Sequence, residues 1–294
     1  MKQIYFTNGR DPSWFRRSRK AVTTFVTGKA MDWFPGATTR LAERLLCVTS
    51  PPRSKLAALK LTESDLDVYD QRIKIFKAGA SERSILFVHG WSGSSADFNA
   101  FFQPVLDAGF NIIAIDHVAH GASPGKWANM FLFVRAIERV LEKHGAHISA
   151  IISHSMGASA VINAVPAQRS AIPGVLIAPV IPFFESLYQS VDNFGIATSW
   201  VDSLIDVFEK RYGRSVDEIN PKLTIQRFSN PVLTIQDKQD RHVPLETNKQ
   251  LFTPHLTASL YETSELGHFR ILSDQGVIVK SMEFIEAVSK PMHT

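Results

Sequence analysis

The chain has 294 residues, 45% hydrophobic and 20% charged, a balance that excludes an unfoldable polar chain and suits one large α/β domain or one domain with an insertion. No apolar run approaches the roughly 20 residues needed to span a bilayer. The single cysteine, Cys47, excludes an internal disulfide, so a reducing cytoplasm is the expected location. The net charge of +4 is unevenly spread: residues 1–60 hold 12 Lys+Arg against 3 Asp+Glu, the remainder 20 against 25.

Residues 1–60 therefore read as a basic extension, helical in pattern. Asp11-Pro12-Ser13 looks like a helix start, Trp14, Phe15, Phe25, Trp33 and Phe34 are apolar anchors, and Leu41, Leu45 and Leu46 recur at helical spacing before Ser50-Pro51-Pro52. Such a segment can touch a membrane surface or an acidic protein; its plainer role is a solvated helical face packed on the body. No nucleic-acid partner is expected. Arg16-Arg17-Ser18-Arg19-Lys20 is followed by too polar a stretch to be an export signal.

From Leu66 the pattern turns to strands. Leu66, Val68, Ile73, Ile75 and Phe76 mark two early ones, and Ser84–Val88 is a continuous apolar run of the kind buried on both faces. A helix is predicted over 96–108, a strand over 111–115, an amphipathic helix over 126–144 and a strand at Ala150-Ile151-Ile152. Further strands are predicted at 174–178, 231–235 and 258–262. Alternation of strands and helices implies right-handed crossovers and a mainly parallel central sheet with helices on both faces. Residues 61–180 and 228–294 then form the core. Residues 181–227, with Phe183, Phe184, Phe194, Trp200 and Phe208, form an inserted helical cap, or else a helix pair packed on the flank.

Ser153-His154-Ser155-Met156-Gly157 joins a buried strand to a small-residue helix. A sharp turn of this kind lifts the central hydroxyl out of the backbone and needs small flanking residues. Ser153 stands where a glycine is usual; the competing reading is an ordinary turn with a serine cap. A serine becomes a nucleophile only with a base beside it and an acid behind the base. His268, in the loop after the last strand, is the best base candidate. Asp240, in the loop after the preceding strand, is the best acid, with Asp237 as its rival. Developing negative charge on the substrate oxygen calls for backbone N–H donors. His89-Gly90-Trp91 ends a strand and offers the Trp91 N–H, and the Met156 N–H lies beside the nucleophile. Asp116 reads as a turn-organising residue. His117, His120 and His154 lack a clear metal-binding spacing.

These five segments, each at a predicted strand end, together resemble the α/β-hydrolase superfamily over roughly residues 66–290: His89-Gly90-Trp91, Asp116 to Ser123, Ser153 to Gly157, Asp240 to Pro244, and Gly267-His268. The resemblance implies a Ser155–His268–Asp240 triad with Trp91 and Met156 as oxyanion donors. Its Asp-x-x-Val-Pro pattern favours Asp240 over Asp237. No cofactor and no metal are implied. The expected activity is that of a serine hydrolase cleaving a carboxylic ester or thioester with an apolar acyl group. An acyltransferase or carbon–carbon bond hydrolase using the same triad, or a non-catalytic receptor or scaffold, are the alternatives.

Overall fold

A computed structural model of the chain describes residues 14–56, 59–165, 172–252 and 258–289. In chain order the elements are α1 (Trp14–Trp33), α2 (Pro35–Leu46), β1 (Thr62–Val68), β2 (Gln71–Ala78), β3 (Ser84–Val88), α3 (Asn99–Asp107) and β4 (Asn111–Asp116). They continue with α4 (Met130–His144), β5 (Ile148–His154), α5 (Met156–Ala164), β6 (Gly174–Ile177), α6 (Phe183–Asn193) and α7 (Ser199–Tyr212). The last are α8 (Pro221–Thr224), β7 (Val232–Asp237), α9 (Leu245–Phe252), β8 (Ala258–Thr263), α10 (Gly267–Arg270) and α11 (Gln275–Ser289). The start expected at Asp11-Pro12-Ser13 lies outside the described residues.

The strands form one eight-stranded sheet in the order β1-β2-β4-β3-β5-β6-β7-β8. β1 and β2 are antiparallel, as are β2 and β4; every other pairing is parallel. The burial of β3 is complete along its length, and that of β7 likewise, whereas β1 at the edge buries only Leu66 and Val68. That contrast explains why β3 is a continuous apolar run and β1 alternates.

Each face of the sheet carries its own core. On one face α3 and α11 cover the sheet, burying Phe87 of β3 with Phe98 and with Phe101 and Phe102 of α3, all essentially inaccessible to water. On the other face α4 and α5 cover the sheet and α7 packs beside α4 through Phe208 and Phe131, with Phe133 and Trp200 also buried. Full burial of one such ring stabilises the fold by about 1.5–3 kcal/mol. The abundance of Phe is thus spent largely on the core. Cys47 is buried beside α2 as a small apolar side chain.

Two helix starts differ from the sequence expectation. Residues 95–98 form a 3-10 turn closed by Ser94 and Asp97 before α3 begins. The helix predicted from Lys126 begins at Met130, because the Asn129 side chain caps it by accepting the Leu132 N–H at 3.0 Å. The preceding residues stay extended: Trp127 bridges Val48, and the Ala128 N–H donates to the Cys47 carbonyl.

The first two helices pack on the pair that follows β6. Trp200 Nε1 donates to the Thr27 carbonyl at 3.1 Å, and the Ala197 N–H to Thr27 Oγ1 at 2.9 Å. Lys20 pairs with Asp192 at 2.6 Å and Arg211 with Glu43 at 2.6 Å. Beyond α2, Thr49 Oγ1 donates to the Ala119 carbonyl and the Ser50 N–H to Ser92 Oγ, tying this segment to the loops after β4 and β3. Among the described residues no helix is long and apolar enough to cross a membrane.

Candidate active site

Parallel strands bring their C-terminal ends to one edge of the sheet, and the segments singled out from the sequence converge there. Ser155 sits between β5 and α5 with φ +53° and ψ −126°. A non-glycine residue in that region is strained by about 1–3 kcal/mol. The strain is held by close packing. A Cβ on Gly157 would lie 2.2 Å from the His89 carbonyl oxygen, and one on Gly90 would lie 2.8 Å from the Ser155 Cβ. Ser153 fits where glycine is usual because its hydroxyl turns to the Val175 carbonyl, 3.3 Å away.

The structure brings Ser155, His268 and Asp240 together. Ser155 Oγ lies 3.0 Å from His268 Nε2, and His268 Nδ1 lies 2.7 Å from Asp240 Oδ2. All three are buried. Because a carboxylate only accepts, His268 donates from Nδ1 and presents Nε2 to the serine hydroxyl as an acceptor. Asp240 also accepts the His242 and Val243 N–H groups at 2.7 and 3.0 Å and Gln236 Nε2 at 3.2 Å. Burial raises the Asp240 pKa, but the His268 hydrogen bond and charge and the two N–H donors outweigh it and hold the carboxyl below its usual value.

Asp237 occupies a different place. Its carboxylate accepts from the Gln239 N–H at 2.9 Å, Thr263 Oγ1 at 2.9 Å and the Leu266 N–H at 3.0 Å. It joins the loop after β7 to the loop that carries His268, and has no bond to His268 itself among the described residues. Asp116 organises a turn, accepting from the Ser95 N–H and the Ala122 N–H at 2.7 Å each.

The loop after β3 is held by two buried imidazoles. His89 Nδ1 donates to the Gly90 carbonyl at 2.7 Å, and its Nε2 accepts the His117 N–H at 3.0 Å. His120 Nδ1 donates to the Val118 carbonyl at 2.8 Å, and its Nε2 accepts the Ser92 N–H at 3.0 Å. Each ring must be neutral to make both bonds. Burial lowers the His89 pKa to about 4, and burial with the neighbouring His89 lowers that of His120 to about 3. Between the bonded Gly90 and Ser92 lies Trp91, half-buried, its ring 6.3 Å from Phe133. Met156 is the first residue of α5, so its N–H has no acceptor within the helix.

Several contributing residues lacked a sequence signal. His154 Nε2 donates to the His268 carbonyl at 2.9 Å, fixing the backbone of the loop. Asn248 Nδ2 donates to Gln236 Oε1 at 3.0 Å and to the Pro179 carbonyl at 2.7 Å, so Gln236 is itself clamped behind Asp240. His242 lies 4.9 Å from the His268 ring. Arg53 lays its guanidinium over the Phe269 ring at 3.7 Å. Repeated amides or imidazoles at fixed spacing would have been needed to flag these, and there are none. His117 stacks on Phe133 at 3.7 Å, and among the described residues both its ring nitrogens lack a hydrogen-bond partner. Asp240, His242 and His268 each bring one metal-capable atom within 4.8 Å of the others. The Asp240–His268 hydrogen bond already occupies one atom of each of those two.

An eight-stranded sheet of this order, with a strained serine between a central strand and its helix, has the architecture of an α/β hydrolase. The family model described as the alpha/beta hydrolase family matches residues 85–276, and the chain belongs to that family. Over 117 residues the chain is 27% identical to the dihydrolipoyllysine-residue acetyltransferase component of the acetoin cleaving system of Cupriavidus necator, covering 39% of this chain and 31% of that one. Over 179 residues it is 27% identical to an uncharacterized protein of Bacillus subtilis, covering 58% of this chain and 59% of that one. The chain thus spans less than two thirds of either curated relative. Among solved structures, a Pyrococcus furiosus esterase superposes with a TM-score of 0.61 at 17% identity, covering 81% of this chain and 97% of that one.

Proposed function

We propose that this hydrolase-family chain is a serine hydrolase that cleaves a carboxylic ester or thioester through an acyl-enzyme. The observation that carries the reading is the continuous hydrogen-bonded line from Ser155 Oγ through His268 to Asp240. Ser155 Oγ attacks the substrate carbonyl carbon while His268 Nε2 takes its proton. Asp240 holds the ring in the acceptor tautomer and stabilises the imidazolium that forms. The tetrahedral oxyanion is met by the Trp91 and Met156 N–H groups; a single such donor contributes about 2.7–4 kcal/mol. Collapse expels the alcohol or thiol, which leaves with the proton from His268. Water then attacks the acyl-enzyme, gives a proton to His268 and releases the acid, and the proton returns to Ser155.

Residues 181–227 are read as a cap beside this edge of the sheet, and α1 and α2, the described helices of the N-terminal extension, as packed on it. Trp91, half-buried on the loop after β3, supplies apolar surface for the acyl group. The name of the Cupriavidus necator relative favours one second reading, in which an added thiol or alcohol replaces water as acceptor.

The test is p-nitrophenyl ester hydrolysis over a series of acyl lengths, wild type beside Ser155→Ala, with fluorophosphonate labelling. Turnover and labelling that both vanish in Ser155→Ala are expected. Labelling with turnover only after addition of a thiol or alcohol would move the reading to acyl transfer. No labelling of Ser155 would leave a receptor or scaffold.

A further inference from the structure

Helix α1 is amphipathic in the reverse sense. The face turned to the body carries Lys20, Thr23, Thr27 and Met31, spaced three and four residues apart, and docks on α6 and α7 through the Thr27 and Lys20 bonds already described. The opposite face carries Val22, Phe25, Val26, Lys29 and Trp33 at equivalent spacing. Val22, Phe25, Val26, Trp33 and the adjoining Phe34 are each more than half exposed, Trp33 at 71%. On α2, Thr38, Thr39 and Ala42 face inward while Leu41 and Leu45 are exposed. Among the described residues, eight of the fifteen exposed large hydrophobic side chains fall within residues 22–48. Scattered exposed apolar residues are ordinary; a concentration of this kind marks a contact surface.

The charges around this face select its occupant. Lys29 sits over the Phe25 ring at 5.9 Å, and Arg40 and Arg44 are exposed without an ion pair among the described residues. The nearby carboxylates are committed, Asp32 to Lys29 and Glu43 to Arg211. A twofold contact centred on Arg40 and Arg44 would place these cations against those of the second copy. An anionic lipid surface accepts both features at once: the rings and aliphatic side chains enter the headgroup boundary while Arg40 and Arg44 meet lipid phosphates. Trp is well suited to that depth.

We propose that the outward face of α1 and α2 docks this protein on an anionic lipid surface. The inference stands apart from the catalytic reading, since docking does not use the serine. The full chain is mixed with vesicles of phosphatidylcholine alone or with roughly a third phosphatidylglycerol, and pelleted. Wild type and Ser155→Ala co-sediment equally with the anionic vesicles. Binding falls by at least about tenfold in Phe25→Ser/Trp33→Ser, through lost apolar burial, and in Arg40→Glu/Arg44→Glu, through reversed charge. Far-UV circular dichroism shows that both variants, altered only at exposed positions, remain folded. Failure of wild type to pellet, or unchanged binding in the folded variants, would overturn the proposal. So would sedimentation-velocity dimers that Phe25→Ser/Trp33→Ser dissociates, which would assign the face to self-association.

Discussion

On the β5 side of the site, position is set by the backbone; on the β7 and β8 side, it is set by side-chain hydrogen bonds. Ser155 is held at φ +53° because Gly157 and Gly90 let β3 and its loop pass within contact of the turn. Asp240 sits on the loop after β7 and His268 in the short helix α10 after β8, and they are placed by Gln236, Asn248, Asp237 and His154. The difference teaches where each half is fragile. Steric placement tolerates loss of polar partners and fails with added volume. Polar placement tolerates small shape changes and fails when a donor is removed.

The largest effect expected from breaking the polar half is in Asp240→Asn. The substituted amide presents an N–H or a carbonyl to His268 Nδ1, and the tautomer is no longer fixed. We expect kcat to fall by about 10⁴ with the fold intact, measured on the best p-nitrophenyl ester. Asp237→Asn, which touches only the loop backbones and Thr263, should cost far less. Equal losses in the two variants would mean that the acid role is not confined to Asp240.

Breaking the steric half calls for one methyl group. Gly157→Ala places a Cβ 2.2 Å from the His89 carbonyl oxygen and 2.8 Å from that of Val88, both backbone atoms with little room to retreat. Urea unfolding should show a loss of about 1–3 kcal/mol, together with reduced turnover. Unchanged stability would show that the turn opens easily and that close packing does not hold Ser155.

The two halves share a sensitivity to acid. His89 and His120 are buried and neutral, with pKa values lowered to about 4 and about 3, and burial likewise lowers His154 well below its ordinary value. In the unfolded chain each titrates near 6.5. Below that pH the unfolded state binds more protons, so stability falls as pH falls, through about 4 for His89 and about 3 for His120. The loss is on the order of 1–2 kcal/mol per histidine by pH 5. Urea titrations between neutral pH and pH 5 should show it, and His120→Gln, whose amide can both donate and accept, should flatten the slope by close to one proton. A flat wild-type profile would mean that these rings are protonated in the folded state.

The comparison also explains what was legible in the sequence. A backbone-determined feature needs particular small residues at adjacent positions, so Ser153 to Gly157 and His89-Gly90 could be read directly. The parallel strands were legible as apolar runs because both their faces are covered. A side-chain network has no such local signature: Gln236 and Asn248 are twelve residues apart on a strand and a helix, and only folding sets their amides 3.0 Å from one another. Asn129 was missed as a cap because Lys126 and Trp127 continue the helical pattern, and pairing with Val48 holds Trp127 out of the helix. The orientation of α1 was hidden for a related reason. Its large apolar residues read as anchors, and the structure turns Thr27 to the body instead.

Gln236→Leu offers the finest test of the polar half. The glutamine gives one hydrogen bond to Asp240 Oδ2 at 3.2 Å and one to the Val243 carbonyl at 3.0 Å, and receives one from Asn248. Leucine fills similar volume and removes all three. Asp240 keeps the His242 and Val243 N–H groups, so the acid stays in place but its outer oxygen is less restrained. A loss of one donor to a charged group is about 1.5–3 kcal/mol, of which only the part that differs between ground and transition state reaches the rate. We therefore expect about a tenfold fall in kcat with little change in KM. If kcat is unchanged, the two backbone donors alone hold Asp240, and the network behind them serves the fold of the β7 loop.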